Sequence, residues 1–61
     1  MIHWHDWLKS HEYTVKWDAQ SEQYIGYLDG KKVVYSDRSS SECFNRLITM
    51  CHGIWKEERN K

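Results

Sequence analysis

The sequence lacks the charge imbalance that marks several functional classes. Nine basic and nine acidic residues leave no net charge. Nucleic-acid binders usually carry an excess of Lys and Arg, because phosphate neutralisation supplies much of their affinity, and DNA mimics need the opposite excess. The neutral balance therefore favours a protein partner and makes nucleic acid a weaker candidate, although it leaves room for a local basic patch.

Long apolar runs and targeting signals are missing as well. No stretch approaches the roughly 20 apolar residues of a membrane span, and no signal peptide is recognisable. We therefore expect a cytoplasmic protein with no membrane association. In that compartment its two cysteines, Cys43 and Cys51, are expected to be reduced thiols.

Aliphatic residues are few, while aromatic residues are many. The 61 residues predict one small domain, 1–61, and such a domain buries only about 60% of its unfolded surface. Four Trp, four Tyr and one Phe predict an aromatic-rich core. Because this core is small, a homodimer or a partner protein would be a ready source of further burial.

Residues 39–58 predict one amphipathic helix. Ser39 and Glu42 have the spacing of a capping box, in which each side chain bonds the backbone amide of the other residue. Spacings of three and four then predict one apolar stripe toward the sheet. Its members are Phe44, Leu47, Ile48, Cys51 and Trp55. Gly53 costs about 1 kcal/mol against Ala inside a helix, so we expect the helix to fray or end near it.

Residues 12–36 predict a three-stranded antiparallel sheet. The stretch 12–18 alternates apolar and polar residues, as a strand with one buried face does. Asp29-Gly30 predicts a two-residue hairpin turn between strands 24–28 and 31–36.

The hairpin turn also predicts which strand residues share a face. It sets Leu28 opposite Lys31, Gly26 opposite Val33, and Tyr24 opposite Tyr35. The other face then carries Ile25, Tyr27, Lys32 and Val34. Gly26 leaves a gap that a Trp or another backbone can approach. Since one helix covers one face, the other is expected to meet the N-terminal segment, a second subunit or a partner.

The N-terminal segment, 1–11, is short and aromatic. Trp4, Trp7, Leu8 and His11 are at helical spacing and predict one to two helical turns. Two interpretations of Trp4 and Trp7 are open: they bind a partner, or they fold back to complete the core. The predicted fold is α+β, with a three-stranded antiparallel sheet followed by a C-terminal helix (βββα) and a short N-terminal helical segment.

The residues that suggest chemistry do not form a recognisable catalytic or metal motif. The sequence contains potential zinc ligands at His3, His5, His11, Cys43, Cys51 and His52. No C-x-x-C knuckle is present, and Cys43 and Cys51 lie about 80° apart around a helix. Cys51 and His52 point about 100° apart, which does not suit a Cys-His nucleophile. We expect no metal, no cofactor and no catalysis.

The aromatic residues leave one alternative function open. Tyr and Trp rings on a sheet can stack on bases, as in some single-stranded nucleic-acid binders. Lys16, Lys31 and Lys32 would then contact phosphates.

From Tyr13 onward, the order of elements resembles the HicB-like antitoxin domain. YTVKWDAQSEQYIGYL resembles the opening strand, polar turn and second strand of that family, and SSSECFNRLITM resembles the start of its helix. The resemblance covers residues 13–55. A tight Asp29-Gly30 hairpin stands where the family usually has a loop with Pro and Gly, and the resemblance does not extend to the DNA-binding domain that HicB antitoxins commonly carry.

The resemblance implies a non-catalytic binding module that inhibits or neutralises a partner protein by occlusion. The partner would be a toxin, or a host enzyme if the protein comes from a bacteriophage. Apart from the resemblance, the uncovered sheet face and the N-terminal aromatic residues predict the contact surface. The predicted contact residues are Trp4, Trp7, Tyr27 and Lys32.

Overall fold

The computed structural model describes residues 2–60 and shows the predicted α+β fold, a three-stranded antiparallel sheet with a helix on one face. Met1 and Lys61, at the ends of the predicted domain, lie outside the described residues. The elements are α1 Trp4–Ser10, β1 Tyr13–Asp18, β2 Gln23–Leu28, β3 Lys31–Ser36 and α2 Ser40–Arg59. The strand order is β1-β2-β3. No described helix has the length and apolarity needed to cross a membrane.

The hairpin between β2 and β3 forms at the predicted turn. Asp29 and Gly30 have φ values of 52° and 83°, the positive angles that this turn requires. Leu28 pairs with Lys31, as predicted. The Asp29 side chain also reaches the residue that precedes β1, since the Glu12 amide donates to Asp29 Oδ1 at 2.9 Å.

Beyond the turn, the predicted register is wrong because β3 contains a bulge. Tyr27 pairs with Lys32, but Gly26 pairs with Val34 and Tyr24 pairs with Ser36. The extra residue, Val33, shifts the rest of β3 by one position. Val34 therefore lies on the helix side, and Tyr35, opposite Ile25, lies on the other face.

The bulge fits the small size of Gly26. A Cβ atom at this position would overlap Val34 Cγ2 and would lie 3.4 Å from Leu47 Cβ. The predicted gap at Gly26 therefore exists, but Val34 and Leu47 fill it, not a Trp or another backbone. Since Leu47 belongs to α2, this contact also fixes which face the helix covers: the face of Tyr24, Gly26 and Leu28.

Helix α2 begins as predicted but buries a partly different stripe. Ser39 caps it, because the Ser39 hydroxyl accepts from the Glu42 amide at 3.1 Å. The second predicted bond of the capping box, from the Ser39 amide to the Glu42 side chain, does not form. The Glu42 carboxylate accepts instead from Ser36 Oγ at 3.2 Å and from Arg46 Nη2 at 3.3 Å. The buried residues of α2 are Cys43, Leu47, Cys51 and Trp55.

Two predictions for α2 need correction. Phe44 is 43% exposed, and Cys43, one position earlier, takes the buried site. Both residues are at helical spacing from Leu47, and the helix is rotated so that the smaller side chain faces the sheet. Gly53 does not end the helix, which continues to Arg59; packing of Trp55 beyond it offsets the low helix propensity of Gly.

Candidate interaction surface

Helix α1 lies against the C-terminal half of α2, where aromatic rings from both helices meet. The ring centroids of Trp4 lie 5.7 Å from Trp7, 5.6 Å from Trp55 and 5.0 Å from His52. Trp7 belongs to the main core together with Leu28, Leu47, Cys51 and Trp55. Helix α1 thus extends the layer that α2 forms on one side of the sheet.

Two of the three indole N–H groups in this cluster, those of Trp7 and Trp55, donate hydrogen bonds within the chain. Trp7 Nε1 donates to Glu58 Oε2 at 2.8 Å, and Trp55 Nε1 donates to the Ile2 carbonyl oxygen at 2.8 Å. The Trp7 ring also stacks on His11, with ring centroids 3.8 Å apart. Because Trp7 is only 1% exposed, it cannot touch a partner in this conformation. The structure places it as the core interpretation expects, and Trp4 is half-buried beside it.

The opposite face of the sheet carries the other two predicted contact residues. Tyr27 pairs with Thr14 and Lys32, so these three side chains share the face that α2 does not cover. We call this the open face. Its described members are Thr14, Lys16, Asp18, Gln23, Ile25, Tyr27, Lys32 and Tyr35. The structure does not bring Trp4 and Trp7 to this surface, because they lie on the helix side.

Ile25 lies at the centre of the open face and is only 2% exposed. Its neighbours across the strands are Lys16 and Tyr35. Because the stems of Lys and Tyr can lie along apolar surface while their polar ends stay in water, these two side chains can shield Ile25 without a covering helix. Tyr35 itself stays 47% exposed.

The charges on the open face are mixed. Lys16 Nζ lies 5.7 Å from the centroid of the Tyr27 ring, which is within cation–π range. A hydrogen bond from the Ser21 side chain is the largest cause that lowers the pKa of Asp18, and the charge of Lys32 adds a smaller effect. Asp18 is therefore ionised at neutral pH, and the face presents both signs of charge around aromatic rings.

Tyr35 is the residue of this surface that the sequence analysis missed. The predicted hairpin register set Tyr35 opposite Tyr24, on the face that α2 covers in the structure, and the bulge at Val33 moves it to the open face. The only signal was the Val33-Val34 pair, since two adjacent apolar residues interrupt the alternation expected of a half-buried strand.

The thiols and imidazoles do not assemble into a site. Among residues 2–60, no three metal-binding side chains come together. Cys43 and Cys51 are free and fully buried, and burial raises the pKa of both thiols. They are therefore poorly suited to nucleophilic chemistry.

Comparisons with known proteins do not assign a family to this chain. It matches no family model, no curated protein and no solved structure.

Proposed function

We propose that this protein is a small, non-catalytic, cytoplasmic binding module that inhibits or neutralises a partner protein by covering its functional surface. The open face is the contact surface, and Tyr27, Lys32 and Tyr35 are its main contact residues. The observation that carries the proposal is a sheet face with exposed tyrosine around a buried Ile25, with no helix of the described chain over it.

The composition of this face supports a protein partner. Interfaces are enriched in Tyr because its ring buries a large area while its hydroxyl keeps a polar contact. Hot-spot residues lie near the centre of a contact, with polar residues around them. Tyr27 and Tyr35 flank Ile25, while Lys16, Lys32 and Asp18 lie around them, which matches this arrangement.

An antitoxin-like module or a bacteriophage-encoded inhibitor of a host enzyme would use such a face. The resemblance of residues 13–55 to the HicB-like antitoxin domain points the same way, because that resemblance implies occlusion without catalysis. The partner is then a toxin or a host enzyme.

The alternative is a single-stranded nucleic-acid-binding protein that uses the same face. It is favoured by one observation, the placement of Lys16 Nζ 5.7 Å from the Tyr27 ring, which joins a cation to a stacking surface. The Asp18 carboxylate on this face and the zero net charge of the chain argue against it.

A capture experiment tests the two functions together. Wild-type protein and three variants, Tyr35→Ala, Lys32→Glu and Met50→Ala, are immobilised and exposed to bacterial lysate. Met50 is an exposed α2 residue on the helix side and serves as the matched control. We expect one protein to be retained by wild type and Met50→Ala and lost from the other two variants.

Retention on immobilised single-stranded DNA and RNA is measured in parallel. If the protein binds nucleic acid with affinity that falls steeply as salt rises, and all four forms capture the same proteins, the alternative replaces the proposal.

A further inference from the structure

Strand β1 is an outer strand of the sheet, and the pattern of residues along its free edge suits pairing with the same edge of a second copy. The strand order leaves one side of β1 without a neighbour among the described residues. Unpaired strand edges present backbone N–H and C=O groups that can pair with another strand.

The hydrogen bonds to β2 show which residues of β1 face outward. The Asp29 amide donates to the Glu12 carbonyl oxygen at 2.7 Å, so Glu12 directs its carbonyl oxygen toward β2. Because this direction alternates along an antiparallel pair, Thr14 and Lys16 also bond to β2. Tyr13, Val15 and Trp17 therefore direct their backbone N–H and C=O groups to the free edge.

We infer that two copies of this chain pair through the free edges of β1, antiparallel and in register about Thr14, to form one six-stranded sheet. This pairing sets Thr14 opposite Thr14 of the second copy. It sets Tyr13 opposite Val15, and Glu12 opposite Lys16, each twice. The inference does not depend on the proposed function.

Side-chain chemistry selects this register. Thr opposite Thr, an aromatic ring opposite a β-branched residue, and opposite charges are the favourable cross-strand pairs. Glu12 and Lys16 are both exposed, and a rotamer change that moves Lys16 Nζ from the Tyr27 ring lets the two side chains meet across the dyad. A register about Val15 sets Glu12 opposite Asp18, and a register about Lys16 sets Lys16 opposite Lys16. A register about Tyr13 sets Glu12 opposite Thr14 and so loses the pairing of Glu12 with Lys16. Like charges directly opposite each other are destabilising.

A groove beside β1 also supports the pairing about Thr14. Its volume is about 360 Å³, and it is lined by Val15, Ser40, Ser41, Phe44 and Asn45. The register about Thr14 brings Tyr13 of the second copy beside Val15, at this groove. Exposed Phe44 of each copy lies on the same side of the sheet, so the contact is the same surface on both copies, as two-fold symmetry requires.

Cysteine cross-linking tests the pairing and its register. Thr14→Cys places two thiols at the dyad, where directly opposite Cβ atoms lie about 4.5–5.5 Å apart, close to the spacing a disulfide needs. Val15→Cys and Lys16→Cys report the registers about Val15 and about Lys16, and Lys31→Cys is an exposed control on β3. The native thiols are buried, and wild-type protein under the same oxidant controls for them.

We expect Thr14→Cys to form a disulfide-linked dimer that reductant dissociates. The yield of this dimer should be at least tenfold lower for the other three variants. Sedimentation of wild-type protein should give twice the chain mass of 7.5 kDa. A monomer at all concentrations, equal cross-linking of Thr14→Cys and Lys31→Cys, or stronger cross-linking at Val15 or Lys16 would overturn the inference.

A charge exchange tests the register without a disulfide. Glu12→Lys and Lys16→Glu should each weaken the dimer at least threefold, and the double variant should restore it, because the exchanged charges again face each other. Melting curves of the three variants show whether the fold is retained. If the double variant is as weak as the single variants while its melting is unchanged, the inference is wrong.

Discussion

At the scale of single residues, Leu47 joins α2 to the sheet. It is fully buried and fills the space that Gly26 leaves on β2. Leu47→Ala should lower the free energy of unfolding by about 2–5 kcal/mol, as truncation of a buried Leu does. Phe44→Ala, three positions earlier and half exposed, is the matched control and should cost less than half as much. Urea denaturation measures both, and equal losses would mean that α2 is rotated differently from the structure.

Gly26 and Gly53 should respond in opposite ways to substitution by Ala. At Gly26, Ala would overlap Val34, and overpacking of this kind costs about 1–3 kcal/mol. At Gly53, nothing lies within 4 Å of an added Cβ, and Ala should stabilise the helix by up to about 1 kcal/mol. Thermal melting checks both signs. Stabilisation by Gly26→Ala would contradict the bulge and its packing.

The reactivity of the two thiols measures how well the core is closed to solvent and reagents. Cys43 and Cys51 are buried, and burial raises the pKa of each thiol. Because the thiolate is the reactive form, we expect a thiol reagent to modify neither cysteine in native buffer and both in denaturant. Rapid modification of native protein would show that the core between α2 and the sheet is open.

At the scale of elements, α1 is held by side-chain packing, since a seven-residue helix is not stable alone. Trp7→Ala removes a buried ring and its hydrogen bond to Glu58, and should cost about 3–5 kcal/mol. Circular dichroism melting measures this loss. A variant that keeps its melting temperature but loses partner binding would restore the interface interpretation of Trp7.

Local sequence signals predicted the turn and the helix cap better than they predicted how one element packs on another. Asp29-Gly30 and the Ser39 cap are short-range features, so the hairpin and the start of α2 could be predicted. The choice between Cys43 and Phe44 could not, because both are at helical spacing from Leu47 and only the position of the sheet decides. The bulge at Val33 also depends on packing against another element.

At the scale of the whole molecule, a three-stranded sheet with both helices on one side has one face left over. The sequence predicted this face from apolar residues on both sides of the strands, and Tyr27 and Lys32 lie on it as expected. It could not predict Tyr35, which reaches the face through the bulge, nor that Trp7 enters the core, because one aromatic pattern suited both interpretations.

The most direct test of the central claim is the dissociation constant of the captured partner for wild type, Tyr35→Ala, Lys32→Glu and Met50→Ala, measured by calorimetry. We predict at least tenfold weaker binding, about 1.4 kcal/mol, for the two open-face variants, with unchanged binding for Met50→Ala and similar melting temperatures for all four. Equal dissociation constants for all four folded proteins would contradict the claim that the open face binds the partner.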